Sequence, residues 1–180
     1  MAQGFSNWLW NRLTRWLVHE PPGISEHLSD YDRLQYEIRP ADVLLVEGRS
    51  HVSEIIKIIT LSNWTHAALY IGRLHDIEDP DTRRYVLDHI GHDADPGEPL
   101  VIEALLGEGT LVSPLSRYES YHVRICRPKG LSHRDAVAVI RHAASRLGSD
   151  YDVRQILDLA RFLFPYGILP RRWRSSLFQH

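Results

Sequence analysis

Between Asp42 and Leu147 the spacing of apolar positions changes several times, and each change marks an element. Asp42-Val43-Leu44-Leu45-Val46 is a short apolar run ended by Gly48, which predicts a strand over 41–47. Ser50 then stands where a helix N-cap belongs. Val52, Ile55, Ile56 and Ile59 follow at helical spacing, predicting a helix that ends near Ile59. The stretch Ser62 to Gly72 returns to strand character. Alternation sends His66, Ala68 and Tyr70 to one face and Ala67, Leu69 and Ile71 to the other. Tyr85-Val86-Leu87 reads as a further short strand, and 88–99 as a long polar loop. Leu100 to Leu105 and Thr110 to Val112 form two strands around a turn at Gly107-Glu108-Gly109. Pro114 to Tyr118 fits a single helical turn, and Tyr121 to Cys126 another strand.

The two ends read as helical. Phe5 to His19 carries an apolar stripe of Trp8, Leu9, Leu13, Trp16 and Leu17, with Ser6 as N-cap and Pro21-Pro22 as a stop. Residues 23–40 are polar and irregular, a connector. From Ser132 the pattern is helical to about Leu147, and a second helix is expected from Asp152 to about Phe164 before Pro165, Gly167 and Pro170. Strands clustered together with helices to either side predict an α+β fold on a small antiparallel sheet. The organisation is then an N-terminal amphipathic helix over 1–22, a connector over 23–40, one domain over 41–165 and a basic tail over 166–180.

Composition narrows the function classes. A chain of 180 residues with 43% hydrophobic and 24% charged residues is ordinary for one globular domain. The formal net charge of -2 supplies no general field for nucleic acid, and none is expected as a partner. The single cysteine, Cys126, excludes an internal disulfide and a cysteine-based zinc site. Asn11, Arg12 and Arg15 interrupt the N-terminal apolar stripe, so it does not read as a signal peptide; Ala2 stands where myristoylation requires glycine. Cytoplasmic residence is the expectation. The tryptophan-rich stripe over 5–19 fits either peripheral membrane contact or packing against the domain itself.

Two residues stand out as chemistry. His66 enters its strand beside small alanines that leave the imidazole approachable. Glu103 interrupts Leu100-Val101-Ile102-Glu103-Ala104-Leu105-Leu106, where a charge costs several kcal/mol unless donors meet it. A carboxylate that accepts the Nδ1–H of a histidine fixes its tautomer and stabilises the imidazolium. His66 and Glu103 are the candidate pair. Asp88, His89, His92, Asp93 and Asp95 have metal-binding atoms but sit in a glycine- and proline-containing loop, which favours a solvated acidic loop and no metal. Arg171, Arg172 and Arg174 around Trp173 read as a surface tail.

The order of these segments resembles the YiiX/YebB-like cysteine hydrolases, circularly permuted papain-like proteins within the NlpC superfamily. It is carried by Asp42 to Leu45, Ser62 to Gly72 and Val101 to Ala104. It continues through Gly107-Glu108-Gly109, Ser113-Pro114-Leu115, Arg124 to Pro128 and Gly148-Ser149-Asp150-Tyr151-Asp152. The resemblance implies a permuted papain-like domain and cysteine-dependent hydrolysis of an amide or ester, peptidoglycan peptide or lipid among the substrates, with no cofactor. It implies His66 as the base, Glu103 as its partner, and Trp64 and Tyr151 as cleft-lining residues. The family's nucleophilic cysteine follows the Tyr-Asp helix, and the 180 residues contain none there. Cys126 closes a strand outside that position and reads as a structural thiol. No Gly-x-Ser-x-Gly elbow offers a serine instead. A nucleophile beyond residue 180 is therefore expected, the alternative being an inactive binding or membrane-associated module on the same fold.

Overall fold

The computed structural model describes residues 12, 15–20, 29–90, 95 and 97–149. Five strands form one antiparallel sheet in the order β4-β3-β2-β1-β5. They are β1 (Val43–Val46), β2 (His66–Gly72), β3 (Leu100–Leu105), β4 (Gly109–Pro114) and β5 (Val123–Cys126). Four α-helices that lie wholly within the described residues accompany them: α1 (Tyr31–Glu37), α2 (His51–Thr60), α3 (Pro80–Asp88) and α4 (His133–Ala144).

Alternation along the strands builds two apolar layers. On one face Leu44, Val46, Ala68, Tyr70 and Val101 meet Leu34 and Ile38 at α1 and Leu115 and Tyr118 of a 3-10 turn. On the other, Ile71, Leu100, Ile102 and Val112 meet Val86 of α3 and Ile140 and Ala144 of α4. The registers Val43↔Leu69, Val46↔His66 and Leu69↔Ile102 lock this arrangement, because a slip of one residue would exchange the faces. The fold class expected from the sequence, α+β with a small antiparallel sheet against helices, is the one observed.

Three segments differ from the sequence reading. Within the connector over 23–40 lies α1, capped by Asp30 accepting from the Arg33 amide; it buries Leu34, and its C-cap Ile38 is buried too. Tyr85-Val86-Leu87 is helix, not strand. Asp79 caps α3, Pro80 occupies its first turn, and Thr82 and Val86 share the buried face at i, i+4. The apolar stripe of α2 is only half-buried, and Ile58 stands 65% exposed. The helices expected at 5–19 and 152–164 fall mostly or wholly outside the described residues, as does the tail over 166–180. Residues 15–18 are helical.

The sheet ends are finished locally. Gly107, at a φ of 88°, turns the β3–β4 hairpin in the left-handed region that suits glycine. The free edge of β4 is partly covered, since Thr110 exchanges two backbone hydrogen bonds with Gly148 and Ser149, each 2.9 Å. At the other side of the sheet Asp42, almost fully buried, accepts from the Arg39 amide and from the Arg127 guanidinium, Nη2 to Oδ2 being 2.7 Å. Among the described residues no helix is long and apolar enough to cross a membrane.

Candidate active site

The sheet brings His66 and Glu103 together. His66 is the first residue of β2, opposite Val46, and so faces the layer that contains Leu44, Val46 and Ala68. Glu103 follows Ile102 on the adjacent strand, and the pleat turns it to that same face. His66 Nε2 lies 2.6 Å from Glu103 Oε2. The Glu103 side chain is fully buried, while that of His66 retains 24% exposure. One end of the pair is therefore fixed in protein and the other faces a cavity.

The contact corrects one detail of the sequence reading. It is made through Nε2, where the tautomer argument had expected Nδ1. A carboxylate only accepts, so Nε2 carries the proton and Nδ1 is the nitrogen with a free lone pair. Nδ1 has no hydrogen-bond partner among the described residues.

A third residue, Tyr118, completes the arrangement and was not singled out in the sequence. The 3-10 turn Leu115–Tyr118 directly after β4 carries it over this layer. Its hydroxyl donates to Glu103 Oε2, the same oxygen that accepts from His66. Its ring centroid lies 6.2 Å from that of His66. The signal available in the sequence was a buried-type aromatic in the helical turn after Pro114.

Electrostatics at Glu103 is a contest between opposing effects. Burial pushes its carboxyl pKa up, but the hydrogen bonds from His66 and Tyr118, helped by the nearby Ser113 hydroxyl, outweigh burial and hold it below the usual value. Ser113 Oγ and Glu103 Oε1 are both buried without a formed hydrogen bond. Burial, followed by the charge on Glu103, drives the Tyr118 phenol far up, so it remains a donor.

A cavity of about 190 Å³ opens beside His66. Val46, Val52, Ile56 and Leu106 supply apolar wall, and Val18 and Glu20 approach from the N-terminal segment. That segment rests on the domain. Trp16 stacks on His51 at 4.6 Å, and Tyr121 donates to Glu20 at 2.6 Å. A larger cavity of about 420 Å³ lies between α3, α4 and the Asp42–Arg127 pair. It does not contain His66 or Glu103, and its own His133–Glu78 pair is solvent-exposed.

Other expected residues fall elsewhere. Trp64 does not line the cavity at His66; its ring packs 5.0 Å from that of His122. His122 in turn pairs with Glu47 at 2.9 Å, beside Lys57, tying the end of β1 to the start of β5. Tyr151 lies outside the described residues. Cys126 is opposite Val43, on the sheet face away from His66, and β1 stands between β5 and β2. It cannot present its thiol to this imidazole. Among the described residues no group of three His, Cys, Asp or Glu side chains is placed to hold a metal; His92 and Asp93 lie outside them.

A histidine at a strand start, held by a buried carboxylate on a neighbouring strand and with its other ring nitrogen unbonded, has the geometry that a general base requires. Residues 37–161 match the family described as permuted papain-like amidase enzyme, YaeF/YiiX, C92 family. That is more than half of the chain, and the chain belongs to this family. A search of the curated proteins finds no match.

Proposed function

We propose that this protein is a cysteine-dependent hydrolase of amides or esters in which His66 is the general base and Glu103 its anchoring carboxylate. The observation that carries the reading is the 2.6 Å Nε2–Oε2 contact, with Glu103 buried and His66 Nδ1 without a hydrogen-bond partner among the described residues. A thiol brought to Nδ1 gives its proton to that nitrogen, and the thiolate attacks the substrate carbonyl. The imidazolium, its Nε2–H held by ionised Glu103, protonates the leaving amine or alcohol. Water then resolves the acyl-enzyme with His66 again as base. Cys126 faces the wrong side of the sheet for this role and is not the attacking thiol of this proposal. The broader kinship with the NlpC superfamily and a cytoplasmic location are part of the same proposal.

The position of Cys126 also favours a second reading, an inactive binding module that keeps the base and lacks the nucleophile. One experiment separates the two. The product of the intact gene is exposed to iodoacetamide at about pH 6, where an ordinary thiol is protonated, and the modified peptides are mapped. Rapid labelling at a cysteine other than Cys126, lost in His66→Ala, supports the hydrolase. Labelling confined to Cys126, or none, overturns it and leaves the binding module.

A further inference from the structure

We propose that Tyr118 is a positioning residue that keeps Glu103 ionised and fixed on His66. The inference rests on the reading of His66 as base. Its support is geometric: two donors, His66 Nε2–H and the Tyr118 hydroxyl, converge on one oxygen of a carboxylate that has no access to water. Tyr118 is itself only 4% exposed, so its hydroxyl has no solvent alternative. Its ring is held edge-on by Tyr121, at 5.7 Å. That contact and the rigid turn after Pro114 aim the phenol at Oε2.

Among the described residues, the groups that act on Glu103 come from three elements. His66 comes from β2, Ser113 from β4 and Tyr118 from the turn, while Arg117 and Tyr121 act on Tyr118. Of these only His66 and Tyr118 form hydrogen bonds to the carboxylate, and Oε1 has none. If His66 were the sole anchor, the carboxylate could rotate and offer either oxygen. With Tyr118 on the same oxygen as His66, rotation breaks two bonds at once. Tyr118 thus holds the carboxylate in the orientation that His66 Nε2 meets. It touches neither substrate nor thiol and acts through Glu103.

The test requires no substrate, so it is independent of whether the hydrolase reading holds. Glutamate labelled with ¹³C at the side-chain carboxyl is incorporated, and Glu103 is assigned by its loss in Glu103→Gln. The titration of its signal is followed in wild type and in Tyr118→Phe. The expected result is a midpoint below the usual glutamate value in the wild type. In Tyr118→Phe it rises by about one pH unit or more, the scale of one hydrogen bond to a charged group. A Tyr118 that merely fills space would leave the midpoint unmoved, and equal midpoints overturn the proposal. Should Tyr118→Phe not fold, the wild-type titration alone decides, since an ordinary or raised midpoint for Glu103 would also overturn it.

Discussion

Glu103 and Tyr118 form a buried polar pair whose energetic coupling can be worked out from their surroundings. Replacing Glu103 by leucine removes the acceptor and roughly preserves volume, so the main loss is at Tyr118, whose hydroxyl becomes a buried donor without a partner. Such an orphan costs about 1–3 kcal/mol, and about 2 kcal/mol is expected for Glu103→Leu. His66 adds little to this, because its partly exposed ring can turn to water. Replacing Tyr118 by phenylalanine removes one of the two hydrogen bonds to a buried carboxylate, again about 2 kcal/mol. The double variant leaves neither a lone hydroxyl nor a buried charge. Apolar replacement of both partners is close to neutral, so its loss should be about 1 kcal/mol rather than the sum of about 4. Urea unfolding of the four proteins measures this coupling of about 3 kcal/mol. For a chain of this size each single variant should also melt about 4–8 °C lower. Losses that add in the double variant would show that the two side chains do not share a bond in solution, and the account of the site would fail.

Three further outcomes follow from other contacts. Glu103 is held below its ordinary pKa, so its contribution to stability is complete above about pH 4.3, the unfolded value, and drains as pH falls through the folded one. The melting temperature of Glu103→Gln should accordingly fall less steeply on acidification than that of wild type; equal slopes would contradict the depressed carboxyl. Gly48 has no room for a methyl group, since a Cβ there would lie 2.2 Å from Ser53 Oγ and 2.8 Å from Thr65 Oγ1. Gly48→Ala should lose about 1–3 kcal/mol in denaturant unfolding, and adding Ser53→Ala should restore part of it. Ser132 and Asp135 form a reciprocal capping box at the start of α4. Ser132→Ala should cost about 1 kcal/mol by the same measurement, whereas no loss would mean the cap is redundant.

The pairing of His66 with Glu103 was legible because of where each breaks a pattern. A carboxylate inside Leu100 to Leu106 needs a partner, and an imidazole at the head of an apolar strand has few roles. What the sequence could not contain was the ring nitrogen involved. That depends on the stagger of β2 against β3, a property of register rather than of residue type. Tyr118 escaped notice for a related reason: a lone tyrosine in a turn becomes informative only when the turn folds back over the sheet. Tyr85-Val86-Leu87 is locally strand-like, but Asp79-Pro80 upstream supplies a cap and a first-turn proline that announce a helix. Helix α1 was harder, since seven residues with one buried leucine give too few turns for a period to emerge. Trp64 was assigned by likeness to a cleft it does not line, its ring being taken up by His122.

The order β4-β3-β2-β1-β5 places the two strands that carry His66 and Glu103 away from both margins of the sheet. Amides on margin strands exchange with solvent through local fraying, while those between two neighbours wait for cooperative opening. His66 and its anchor Glu103 thus ride on the last part of the sheet to come apart. Fluctuations that loosen the hairpin end or the β5 side leave their relative placement unchanged, so the imidazole is already set before any partner reaches it.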